Sequence, residues 1–240
     1  MVLEAKEAVV KRVPAFIMIL ALVVLAIYVI NWDYARVAAG GQNAINSLVG
    51  DPDSTPPLFE SSDEKSDLTL INDDNPLARG FKPQELVSLY ELVERPFDLI
   101  EESICMKASA AQAMQEMFWA AQADGEFGFI ITSGYRSYAE QTVLFTTNQN
   151  GYVARPGASE HQSGLAFDVG VYYNENIEQT AQYRWLVEHC GEFGFILRYP
   201  PDKEAITGVP FEPWHFRYVG VPYAQEIMGA GITLEEYLGH

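Results

Sequence analysis

Between Pro14 and Ile30 the chain runs for seventeen residues without a charge, PAFIMILALVVLAIYVI. As a helix, a run of that length reaches the lower edge of the roughly 17 to 25 residues that cross a bilayer. It also exceeds the apolar core of a cleavable signal peptide, roughly 7 to 15 residues. Lys11 and Arg12 precede it, which places that end on the cytoplasmic side. The run therefore reads as a transmembrane signal anchor (14–30) after a cytoplasmic N-terminus (1–13), with the remainder of the chain outside the membrane. Val37-Ala38-Ala39 offers an alternative, cleavage after small residues, and on either reading the globular part is exported.

The segment after this run limits the fold further. Residues 31–74 read as an acidic flexible tether: the stretch 51–74 carries eight acids, one lysine and prolines at 52, 56 and 57, too little apolar surface to offset ordering entropy. The formal net charge of -18 is uneven, because residues 1–30 carry a net +1 and the rest must carry -19. Such a surface excludes nucleic acid as a partner, since binding phosphate requires a cationic face. The remaining residues, 75–240, suffice for one domain. Cys105 and Cys190 lie 85 positions apart and in no C-x-x-C pattern. In an exported domain a disulfide and two buried free thiols both stay open.

Apolar residues Ala110, Ala113, Met114, Met117, Phe118 and Ala121 fall at helical spacing between 107 and 124, with Asp124-Gly125 as a stop. FGFIIT (127–132) predicts a buried strand, and Ser137-Tyr-Ala-Glu140 a capping box opening a helix through about 147. A third helix is expected over 179–190, ending at Gly191 or Gly194, before the strand FILRY (195–199). The tail predicts a short helix near 223–228 and a second capping box at Thr233. Irregular alternation with short loops points to an α+β domain rather than a doubly wound sheet.

Two segments carry chemistry. In ARPGASEHQSGLAFDVG (154–170), a strand from Gly164 to Val171 turns Leu165, Phe167 and Val169 to the core and Gly164, Ala166, Asp168 and Gly170 to the other side. That second face is bare except for one carboxylate, and His161 precedes it closely enough to turn back to the same point. In PFEPWHFRYVG (210–220), a strand from His215 puts His215 and Arg217 on one face, so His215 can join Asp168 if the strands are neighbours. Glu212 then sits at the lip, because Pro213 breaks the register. Three ligands, His161, Asp168 and His215, with an open fourth position and a free carboxylate nearby, form the arrangement of a hydrolytic zinc site. No H-E-x-x-H motif occurs, which excludes the helical zincins.

The patterns Ser159-x-His161-x-x-Gly164-x-Ala166-x-Asp168 and Glu212-x-Trp214-His215, preceded by Ser133-Gly134-Tyr135-Arg136-Ser137, resemble the VanY-type zinc D-alanyl-D-alanine carboxypeptidases, over roughly 75–223. The resemblance implies an exported enzyme that removes the terminal D-alanine from peptidoglycan stem peptides. It also implies a small, mostly antiparallel sheet with flanking helices, of the Hedgehog/D-Ala-D-Ala peptidase kind. By the same resemblance His161, Asp168 and His215 bind one zinc ion, Glu212 is the general base and Arg136 contacts the substrate or its oxyanion.

Residue chemistry supports Arg136 independently: it follows a predicted strand at a turn, and a guanidinium fork suits a terminal carboxylate. Tyr135, Ser159 and Gln141 are substrate-binding candidates. Arg217 faces the site but has a good alternative as an ion-pair partner, and Trp214 is expected to pack beneath the metal. His189-Cys190 reads as part of a helix rather than as a ligand pair, and His240 as a chain end. The rivals are an L,D-carboxypeptidase or wall endopeptidase with the same zinc centre, and a non-catalytic zinc module that binds wall peptides.

Overall fold

The computed structural model describes residues 67–148, 152–174 and 176–240, all within the compact unit Ser61–His240. The expected anchor at 14–30 and most of the expected tether lie outside the described residues. Among the described residues no helix is long and apolar enough to cross a membrane.

The described chain opens with a segment, 67–71, that sequence composition placed in the tether. It is packed into the fold: Asp67, Leu70 and Ile71 are buried, and Lys107 Nζ holds Asp67 Oδ1 at 2.9 Å. The physical reason is local. Leu68, Leu70 and Ile71 supply apolar surface that the eight acids of the surrounding stretch outweigh in any average, and Leu70 packs with Ile196, Val219 and Ile227 in a second, smaller core.

Strand β1 (Leu86–Ser88) pairs antiparallel with β3 (Cys105–Lys107) in a two-stranded sheet. Between them lies β2 (Asp98–Leu99), the edge of the main sheet. Helix α1 (Ala108–Ala123) follows β3 directly. Its face of Ala110, Ala111, Met114, Met117, Phe118 and Ala121 is buried, which matches the predicted stripe except that Ala111 replaces Ala113. Next come β4 (Phe129–Ser133), α2 (Tyr138–Thr147), a 3-10 turn (Glu160–Ser163) and β5 (Ala166–Val171). Helix α2 opens on the capping box predicted at Ser137 and Glu140. Helix α3 (Ala181–His189) runs into a 3-10 turn closed by Gly194, and β6 (Phe195–Leu197) follows. The chain ends with α4 (Glu204–Thr207), β7 (His215–Tyr218), α5 (Val221–Ala230) and α6 (Leu234–Leu238), the last capped by Thr233 and Glu236.

The main sheet has the order β2-β4-β5-β7-β6. Only β2 and β4 are parallel; the other pairs are antiparallel. The architecture is therefore the expected α+β domain with a mostly antiparallel sheet. Period-2 alternation divides the sheet's faces. Phe129, Ile131, Phe167, Val169 and Phe216 join the core with Phe118 of α1, whose ring lies 4.7 Å from that of Phe129 and 5.9 Å from that of Phe167. Truncating a fully buried aromatic such as Phe118 to alanine costs about 3 to 5 kcal/mol, so this side fixes the sheet's position. The opposite side is left to carry Asp168 and His215.

Both cysteines are free thiols, Cys105 half-buried and Cys190 in the core. Burial pushes the Cys190 thiol up to about 12, so it stays protonated. His189 pairs with Glu192 at 2.9 Å, and its ring lies 4.7 Å from that of Trp185 at a 34° tilt.

Candidate active site

Two backbone details assemble the site. Asp168 and His215 are direct cross-strand partners in the β5–β7 register, and Ser133 opposes Asp168 from β4 across a register shift. His161 reaches the same point from the 3-10 turn, which ends at Gly164 in a left-handed conformation (φ +73°). A side chain there would be strained and would meet Leu86 Cδ2 at 3.1 Å and the Lys107 nitrogen at 3.2 Å, so glycine is required.

One ligand atom from each of His161, Asp168 and His215 lies within 4.8 Å of the others, in a group able to hold a metal ion. His161 Nε2 is 3.3 Å from Asp168 Oδ2, and His215 Nδ1 is 3.0 Å from Asp168 Oδ1. The remaining ring nitrogens are engaged elsewhere. His161 Nδ1 donates to the Gly134 carbonyl at 2.8 Å, and His215 Nε2 faces Glu160 Oε2 at 3.3 Å. Each imidazole thus turns one fixed nitrogen toward Asp168, as a histidine metal ligand must. Two imidazoles and one carboxylate suit zinc, so the donor set fits the metal.

The charges agree. Burial favours a neutral Asp168, but His161 and His215 hold its carboxyl well below the usual carboxylate range. Burial also opposes charge on His215, yet bonds to Asp168 and Glu160 raise it to about 9. Burial lowers His161, with Asp168 acting against it. The pocket between Asp168 and Glu160 therefore favours one positive charge, a role open to a proton or a cation.

Around this group is a cavity of about 200 Å³, lined among others by Arg136, Tyr152, Ser159, Tyr199, Glu212 and Trp214. Glu212 sits in the turn before β7, its Oε2 4.0 Å from His215 Nδ1. Burial raises its carboxyl above the ordinary range, partly offset by His215, which suits a group that must exchange protons near neutral pH. Arg136 Nη1 donates to Gln141 Oε1 at 2.9 Å and Nη2 to Ser133 Oγ at 2.8 Å.

Of the other candidates, Gln141 lines the cavity but spends its amide on Arg136 and on the Ala154 carbonyl. Ser159 is buried in the cavity wall. Tyr135 lines a neighbouring open groove that shares Arg136 and Leu144 with the cavity. Arg217 is fully buried and paired with Glu160 at 2.8 Å, outside the cavity lining. Trp214 does not pack beneath the site: it is 41% exposed at the mouth, because the turn after Pro213 sends it outward while its carbonyl bonds to Val169. Sequence reading missed Glu160, Tyr152 and Tyr199. Glu160 had one signal available, a charge placed directly beside the ligand candidate His161.

A His-Asp-His group able to hold a metal on one face of an α+β sheet, flanked by a half-buried carboxylate and an arginine, is the kind of site that metal-dependent hydrolases use. The model of the family described as VanY, D-alanyl-D-alanine carboxypeptidase, matches residues 103–221. A D-alanyl-D-alanine carboxypeptidase of Enterococcus faecalis is 39% identical over 199 residues, covering 75% of this chain and 68% of the relative. One from Enterococcus faecium is 36% identical and covers 76% of this chain. The chain spans only 61% of that relative's length. Among solved structures, the LdcB LD-carboxypeptidase superposes with a TM-score of 0.65 at 36% identity, covering 74% of this chain and 88% of that one. The vancomycin-resistance D,D-pentapeptidase VanY from a VanB-type cassette, solved with Zn(II), gives 0.58 at 36% identity, covering 72% and 98%. The chain belongs to the VanY family of D-alanyl-D-alanine carboxypeptidases.

Proposed function

We propose that this chain is a zinc carboxypeptidase that hydrolyses the terminal D-alanyl-D-alanine bond of peptidoglycan stem peptides outside the cytoplasm. The observation that carries the reading is the convergence of His161, Asp168 and His215 on one point, with Glu212 beside it and not part of the ligand group. Zinc, when bound at these residues, lowers the pKa of water at its open position to about 7 and polarises the scissile carbonyl. Glu212 takes a proton from the attacking water and returns it to the leaving D-alanine amine. Arg136, fixed by Gln141 and Ser133, offers its guanidinium to the oxyanion or the terminal carboxylate. The Gly134 carbonyl accepts from His161 Nδ1 and leaves Nε2 facing Asp168.

The likeness to the LdcB LD-carboxypeptidase favours one second reading, removal of D-alanine from tetrapeptide stems by the same centre. Incubating the protein with pentapeptide and tetrapeptide stems and weighing the products separates the two. Loss of D-alanine from the pentapeptide alone supports the D,D reading, and loss from the tetrapeptide alone the L,D reading. Full activity in a strong chelator would overturn the metal assignment. In this proposal the apolar run at 14–30 anchors the domain on the outer side of the cell membrane. Protease added to intact cells should then remove the domain, and protection from it would refute export.

A further inference from the structure

Glu160 lies one residue before a metal-ligand candidate, yet its side chain is fully enclosed. Its Oε1 accepts from Arg198 Nε at 2.7 Å and Arg217 Nη1 at 2.8 Å, while Oε2 faces His215 Nε2 at 3.3 Å. Arg217 spends its Nη2 on the backbone carbonyls of Asp67 at 2.8 Å and Thr69 at 3.0 Å. Those carbonyls belong to the 67–71 strap, seated by buried Leu70 and Ile71 and by the Lys107–Asp67 pair. An unbroken path of bonds therefore runs from the strap to the ring nitrogen of His215 that points away from Asp168.

We propose that Glu160 is a positioning residue for His215, and that the 67–71 strap, acting through Arg217, keeps Glu160 in place, so that the metal centre, itself proposed above, is complete only when the strap is seated. The partner on a ligand histidine's second nitrogen sets its ring orientation and basicity, and loss of such a partner costs about 10- to 100-fold in metal affinity. A buried carboxylate depends on its cations for compensation, and while Arg217 Nε is held by the Tyr218 carbonyl at 3.0 Å, its Nη2 is held by the two strap carbonyls. The strap lies more than thirty positions before the matched family segment, which begins at residue 103.

If Glu160 merely neutralised two buried arginines, its loss would lower stability without changing how the folded protein holds metal. The test therefore measures zinc affinity of the full chain by competition with a chromogenic chelator, the visible spectrum of its Co(II) form, and the urea midpoint. Glu160→Gln should bind zinc about 10- to 100-fold more weakly and shift the Co(II) bands. Ile71→Ala, a change in the strap at neither a ligand candidate nor Glu160, should change both in the same direction. Met114→Ala in the main core should lower the urea midpoint and leave both readouts unchanged. Should Glu160→Gln fail to fold, Ile71→Ala carries the test. Wild-type zinc affinity and an unchanged Co(II) spectrum in the folded variants would overturn the proposal, and an effect of Glu160→Gln without one of Ile71→Ala would remove the strap from it. A wild-type chain that binds no zinc would overturn the metal reading and this inference together.

Discussion

His215 stands directly across the β5–β7 ladder from Asp168, its Nδ1 3.0 Å from the carboxylate Oδ1. Two metal-ligand candidates 47 positions apart in sequence are thereby held on adjacent strands, where the separation is set by backbone hydrogen bonds rather than by flexible loops. A one-residue slip of β7 would send His215 into the core face and Phe216 into the site. The aromatic stack of Phe167 on Phe216, 5.7 Å between centroids, opposes that slip, so the apolar side of the ladder fixes the geometry of the polar side.

Glu212 tests the division of labour within the cavity. Its carboxylate lies near His215 but outside the ligand group, so Glu212→Gln keeps the shape and removes only the base. Metal analysis should show unchanged zinc stoichiometry, while kcat on a pentapeptide stem falls by about 10² to 10⁴. A variant that loses zinc in proportion to activity would make Glu212 a ligand instead of a base.

The proton on His215 gives the site a definite pH dependence. Its metal-free pKa is raised from 6.5 to about 9, so the metal-free fold gains stability that is fully present below 6.5 and is lost as pH rises through about 9. A shift of this size is worth on the order of a few kcal/mol. Zinc must displace the same proton, so its apparent affinity should rise at least about tenfold per pH unit from 7 to 8. Calorimetry in buffers of different ionisation enthalpy should detect at least one proton released per zinc bound near pH 7, from His215, with a further release as pH rises and the zinc-bound water ionises, and no release would show that His215 is not a ligand.

Much of this site was legible in sequence because its chemistry sits in two short strands. Alternation alone placed Asp168 and His215 on a face opposite Phe167 and Phe216, and Pro213 separated Glu212 from the strand. Helix α1 and both capping boxes were equally local, written in apolar spacing and in Ser137-x-x-Glu140 and Thr233-x-x-Glu236. The buried ion network was not legible. Arg217 was legible as an ion-pair candidate, but its partner Glu160 and the neighbouring Arg198 look like surface residues until the sheet order brings β6 beside β7 and Glu160 against both arginines. The strap was hidden for a related reason: Leu68 and Leu70 gain their partners from distant elements, and the acids around them dominate the composition.

Gly134 couples backbone packing to ligand orientation. A Cβ there would sit 2.6 Å from the Cys105 carbonyl oxygen and 2.8 Å from Ile104 Cγ2, so the chain must move. The carbonyl that would move is the acceptor for His161 Nδ1. Gly134→Ala should cost about 1 to 3 kcal/mol in urea unfolding and weaken zinc binding. Gly80→Ala, with nothing within 4 Å, should change neither. Wild-type zinc affinity in Gly134→Ala would show that the carbonyl does not set the ring.

The C-terminal helix α6 carries two acids in sequence whose ion pairs differ greatly in setting. Glu235 accepts two bonds from Arg198, at 2.6 and 2.9 Å, with both side chains almost completely enclosed. Glu236 meets Lys203 at 2.9 Å, where each side chain is about a quarter exposed. Removing one partner of an enclosed pair leaves a desolvated charge uncompensated and costs about 3 to 5 kcal/mol, whereas water already screens the Lys203–Glu236 pair. Glu235→Ala should therefore lower the urea midpoint severely and Lys203→Ala hardly at all. Because Arg198 also grips Glu160, Glu235→Ala should weaken zinc binding as well, an effect absent from Lys203→Ala. Equal stability of the two variants would mean that water reaches Arg198, and the enclosed network would not be what fixes α6 to the sheet.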